Sequence, residues 1–207
     1  MPTIKNNPMK NVKQILVLAL MAVALVNCSA DEEQPVTLPP VVFQNENPYA
    51  DFINTAGFTT VYVYTDDNNY YEIGYKFTPL VKGEINAVFV KIPAVVSDVR
   101  LTIWDVASGT PIRTEYVDVA EPSTKTTLAI APLPLEKNKE YAVSINTRDY
   151  YFRYSPTGAY QNFPVVVNHL SISGAFSNMG TAQENVDFTT IVNGAFGDCS
   201  ISFKQTL

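Results

Sequence analysis

A single histidine, His169, and two cysteines, Cys28 and Cys199, are all the His and Cys this 207-residue chain contains. A zinc site built from several such ligands is therefore excluded. Charge is scarce too: charged residues are 16% of the chain and the net charge is −6. The clustered Lys and Arg that neutralise phosphates are missing, so nucleic acid is not an expected partner. No apolar run approaches the roughly 20 residues a membrane-spanning helix needs; the longest, 15–26, has 12. Helical periodicity is nearly absent, and no internal repeat stands out. Neither a Gly-x-Ser-x-Gly nucleophile elbow nor EF-hand spacing occurs. Aromatics, in contrast, make up 12% of the chain. Low charge with many aromatics suits a folded β-rich domain, not a disordered chain.

The amino-terminal region reads as targeting sequence. Lys10 and Lys13 give it a basic start, and the apolar run that follows has the length of a signal-peptide core. Leu25-Val26-Asn27-Cys28 then resembles the lipobox of bacterial lipoproteins, with Asn27 standing where a small residue is usual. The resemblance implies cleavage before Cys28 and acylation of that residue, hence a partner that is a membrane. Two or more acyl chains anchor stably where one does not. Lys5, Lys10 and Lys13 are the only charged residues before Cys28, so cleavage takes the net charge from −6 to −9. Ser29-Ala30-Asp31-Glu32-Glu33 resembles the surface-export signal of Bacteroidetes lipoproteins. It implies an outer-membrane protein facing the extracellular side. The expected organisation is a signal peptide over 1–27, an acidic and Pro-rich tether over 28–48, and a β domain over 49–207. Pro35, Pro39, Pro40 and Pro48 favour an extended tether.

Beyond the tether, short segments with a period of two alternate with turn signals. Strands are expected over 59–64, 71–77, 85–92, 99–104, 112–119, 128–130, 141–145, 150–154, 165–172, 188–192 and 201–203. Segment 85–92, apolar on both faces, reads as a central strand. Residues 173–186 read as the longest loop. The spacing predicts an all-β fold: an antiparallel sandwich of jelly-roll-like topology.

From Tyr70 to Tyr154 the chain resembles bacterial extracellular β-sandwich domains of the DUF4082 type. The carriers are Gly74-Tyr75-Lys76-Phe77, Lys82-Gly83-Glu84-Ile85, Leu101-Thr102-Ile103-Trp104-Asp105, Gly109 and Tyr141-Ala142-Val143. The resemblance implies association with glycans and supplies no catalytic residues.

Among individual residues, Trp104, Tyr151 and Tyr160 are the candidate ligand-binding rings, because sugars stack their apolar faces on aromatics. Trp104 alternates with Val99, Leu101 and Ile103, which predicts that it faces away from them. Asp66 and Asp67, with Asn68 and Asn69, offer the oxygens calcium prefers, though the same residues dominate ordinary turns. No other cofactor is expected. Glu72, Glu84 and Glu115 would support glycoside hydrolysis only if two met about 5–9.5 Å apart. His169 reads as a structural or surface residue, and Cys199 as a small buried hydrophobe. The functional expectation is a non-enzymatic surface module binding a glycan. The alternative is a structural or assembly lipoprotein that docks on an envelope protein.

Overall fold

The computed structural model describes residues 41–159, 161, 163–183 and 186–207. The expected signal peptide, Cys28, residues 28–40 of the tether and Tyr160 lie outside the described residues. The chain divides into Met1–Val41 and Val42–Leu207, and every element below belongs to the second unit.

The elements in chain order are β1 (Asn45–Glu46), α1 (Pro48–Thr55), β2 (Thr60–Tyr64), β3 (Tyr71–Pro79), β4 (Gly83–Lys91), β5 (Val96–Asp105) and β6 (Thr110–Val119). There follow β7 (Thr126–Leu135), β8 (Tyr141–Thr147), β9 (Tyr150–Tyr154), β10 (Val165–Val167), β11 (Leu170–Met179), β12 (Gly194–Phe196) and β13 (Asp198–Gln205). They form three antiparallel sheets of order β1-β13-β4-β7, β10-β11-β3-β8-β5-β6 and β12-β9-β2. The fold is an all-β sandwich. Eight strands interleave as β1-β13-β4-β7 and β3-β8-β5-β6, the jelly-roll order of two Greek keys. The connection between β8 and β13 is enlarged. It contributes β10 and β11 to the wide sheet, and β9 and β12 to the small one.

Period-two alternation builds the core. Ile73, Tyr75 and Phe77 of β3 share a face with Val143 and Ile145 of β8 and Leu101 and Ile103 of β5. From the other sheet come Ile85, Val88 and Val90 of β4, with Cys199, Ile201 and Phe203 of β13. All are essentially inaccessible to solvent. Each large apolar side chain so buried contributes about 1.5–3 kcal/mol relative to exposure. The strand expected over 85–92 is central, as anticipated, but it buries only one face: Glu84, Asn86 and Phe89 are half-buried.

The folded unit takes in the end of the expected tether. Asn45 and Glu46 pair with Lys204 and Phe203, and Pro48 opens α1. Proline suits the first helical position, where its missing N–H costs nothing. Tyr49, Phe52, Ile53 and Ala56 recur at helical spacing and are buried. The helix ends in a Schellman motif: Phe58 N–H donates to the Ile53 carbonyl and Gly57 N–H to that of Asn54. Gly57 takes φ 70°, which glycine adopts without strain.

Two other segments depart from expectation. Residues 165–172 form a hairpin, not one strand: Val167 pairs with Leu170, and Asn168 turns the chain at φ 50°. The loop expected over 173–186 is strand as far as Met179, after a bulge between Ile172 and Gly174. Residues 188–192, expected as a strand, make one bridge, between Ile191 and Ala175.

Residues 180–183 and 186–191 instead lie over the outer face of the wide sheet. Arg100 Nη1 donates to the Thr181 carbonyl, Gln183 Nε2 to the hydroxyls of Thr102 and Thr114, and Lys76 Nζ to that of Thr190. Phe188 packs edge-on against both Trp104 and Phe176. This second small core leaves Trp104 with 0% exposure. Its indole N–H donates to Ser144 Oγ at 2.7 Å, and Ser144 donates to Glu72. Trp104 does face away from Leu101 and Ile103, but that face is covered as well. It is therefore a structural residue and not a ligand platform. Trp104→Ala is expected to cost about 3–5 kcal/mol of stability, read from the shift of the urea-unfolding midpoint.

Candidate functional site

The small sheet carries the site. Side chains alternate between the faces of a strand, and directly paired residues share a face. Tyr62 pairs with Phe152, and Phe152 with Phe196; Tyr64 pairs with Tyr150; Thr60 pairs with Tyr154, and Tyr154 with Gly194. One face of β2, β9 and β12 is therefore almost wholly aromatic.

The rings form two groups. Tyr64 and Tyr150 stack with centroids 4.9 Å apart, and Tyr71 meets both edge-on. Phe152 stacks on Phe196 at 4.5 Å and on Tyr154 at 5.3 Å. Gly194 makes the second group possible, since a Cβ there would lie 2.4 Å from the Phe152 ring. Tyr62, Tyr64, Tyr150, Phe152, Tyr154 and Phe196 line an open cleft of about 420 Å³. That size falls within the range of small-ligand sites.

The polar groups of the cleft are phenols. Those of Tyr62, Tyr150 and Tyr154 make no hydrogen bond among the described residues. Tyr150 is only 5% exposed. Burial, with the Tyr64 and Asp66 charges adding to it, pushes its phenol up to about 12. It is therefore a neutral hydroxyl at any physiological pH. Beside the cleft, the Asp66 carboxylate accepts from the Asn68 and Asn69 backbones, from Asn69 Nδ2, and from the Tyr71 and Tyr64 hydroxyls. These donors, the Asn68 N–H foremost, hold its carboxyl well below the usual range. Asp66 thus closes the β2–β3 turn and fixes the first aromatic group.

This bears on the other candidates. Asp66 is already occupied by protein donors, and Asp67 stands exposed beside it. Among the described residues no three His, Cys, Asp or Glu side chains gather around a common point. Tyr151, expected as a binding ring, points the other way. It is 7% exposed, donates to Ser123 Oγ at 2.6 Å, and lies under Lys91 Nζ. Its neighbours Tyr150, Phe152 and Tyr154 face the cleft instead.

The three carboxylates do not converge. Glu72 is buried on the outer face of the wide sheet, paired with Arg100 at 2.7 Å. Glu115 lies on the opposite face of that sheet, opposite Leu101 in register and 3.6 Å from Arg113. Glu84 belongs to the other sheet. His169 sits in the β10–β11 turn, its Nδ1 against the Glu46 carboxylate. Cys199 is fully buried, and burial pushes its thiol up.

Missed by the sequence reading were Tyr62, Tyr64 and Phe196. Thr60–Tyr64 and Tyr150–Tyr154 are both aromatic at alternate positions, which signals an aromatic face. Nothing in the sequence says that they pair. No family model and no curated protein matches the chain.

Proposed function

We propose that this chain is a lipid-anchored surface lipoprotein whose jelly-roll domain binds glycan in the aromatic cleft, without catalysis. One observation carries the reading: a solvent-open cleft walled by six rings holds three phenols that lack any protein partner among the described residues. Pyranose rings present apolar C–H faces for stacking and hydroxyls for such phenols to bind, so cleft and ligand are amphipathic in the same way. The acidic chain and its lack of basic clusters disfavour phosphate-rich ligands. The lipobox at Leu25 to Cys28 and the acidic Asp31-Glu32-Glu33 support a lipid anchor and the extracellular side. The likeness of the region from Tyr70 to Tyr154 to extracellular sandwich domains agrees with both.

Retention on a panel of immobilised polysaccharides tests the cleft. The chain is expected to be retained on at least one. Tyr62→Ala and Tyr154→Ala should each weaken retention about tenfold, equivalent to about 1.4 kcal/mol, while Trp104→Phe retains it. Undiminished binding by both tyrosine variants would remove the cleft from the proposal. Mass spectrometry of the mature protein tests the anchor. It is expected to find an acylated Cys28 as the first residue; any other amino terminus refutes that part.

A further inference from the structure

The described sheets expose six edges, and five are blunted in ways that prevent strand addition. β1 has two residues, and β10 and β12 have three. β7 carries Pro132 and Pro134, which lack the N–H a ladder needs. β6 carries Pro111 together with Arg113, Glu115 and Asp118. β2 is the exception. It is Thr-Val-Tyr-Val-Tyr, with no charge and no proline, and among the described residues nothing pairs with its outer edge. It is open on both faces as well: Tyr62 is 57% exposed, and Val61 and Val63 are 45% exposed each.

We propose that β2 is a homodimer edge, at which two copies of this chain pair β2 to β2, antiparallel. The sequence is self-complementary in this arrangement. Antiparallel pairing centred on Tyr62 is the only register that matches all five residues. It sets Thr60 opposite the second copy's Tyr64, Val61 opposite Val63, and Tyr62 opposite Tyr62. These are the aromatic and β-branched cross-strand pairs that stabilise antiparallel sheets. Charge fits too. None of the five paired residues carries a charge, so the ladder sets no carboxylate against another, although the chain as a whole is acidic. A charged extended partner would find no counter-charge on β2.

The pairing is isologous, as in the commonest dimers. It joins two three-stranded sheets into one of six. The twofold axis stands normal to that sheet, so both aromatic faces look the same way. A five-residue strand buries less than a standard interface, so the association is of the weak class.

Light scattering on the full chain in mild detergent tests this, with near-UV circular dichroism as the check on folding. At about 100 µM the wild type is expected to contain dimer. Val61→Lys with Val63→Lys places lysine opposite lysine and should weaken association about tenfold or more. Val61→Lys with Val63→Glu places lysine opposite glutamate and should restore it. Both positions face away from the cleft, so polysaccharide retention reports separately on the glycan site. A wild type that is wholly monomeric at this concentration overturns the proposal. So does a dimer that survives the double lysine variant, or a charge-paired variant no more associated than the double lysine.

Discussion

The Asp198 carboxylate holds three distant parts of the chain together. Arg153 grips it in bidentate fashion, Nε on Oδ1 at 2.7 Å and Nη2 on Oδ2, and the Tyr49 hydroxyl donates to Oδ1 at 2.8 Å. Asp198 opens β13, Arg153 is the fourth residue of β9, and Tyr49 lies in α1. The small sheet and the helix are thereby fastened to the same strand of the sandwich. Burial, and next the Asp198 charge, pushes the Tyr49 phenol up, while the hydrogen bond to Asp198 raises Arg153. A buried pair of this kind contributes little net stability over a hydrophobic replacement. Removing one partner, however, costs about 3–5 kcal/mol. Its contribution is position. Gly197, at φ 75°, brings the chain into β13 within van der Waals reach of Ile73, where a Cβ would sit 2.9 Å away.

The cleft follows from that attachment. In β9, Arg153 lies between Phe152 and Tyr154. Turning Arg153 inward toward Asp198 turns both aromatic neighbours outward by the alternation of the strand. Tyr150 follows Tyr154 and Phe152 onto the same face, and β2 and β12 add Tyr62, Tyr64 and Phe196 in register. A jelly roll of eight strands thus carries an aromatic cleft built from its β1–β3 and β8–β13 connections. The eight-strand scaffold supplies stability, and these two connections supply the exposed aromatic rings.

The sandwich was legible in the sequence because inward and outward residues alternate in most of its strands. Ile73, Tyr75 and Phe77 announce their face without help from the tertiary structure. Legibility failed where a residue's role depends on what covers it. Trp104 alternates as an outward-facing residue, and only the return of Phe188 over the sheet buries it. Tyr151 and its neighbours are all aromatic, so composition cannot choose between the two faces of β9; the distant Asp198 does. β12 has three residues, too few to show a period. α1 was readable, since Pro48 followed by Tyr49, Phe52, Ile53 and Ala56 has helical spacing. The prolines before it suggested a tether and masked the helix.

Native-state hydrogen exchange on an Asp198→Ala variant tests most directly whether one carboxylate positions the site-bearing sheet. The account predicts that amides of β2, β9 and β12 lose protection while those of β3, β5 and β8 keep theirs. Unchanged protection in β9, or an equal loss across every strand, would contradict it.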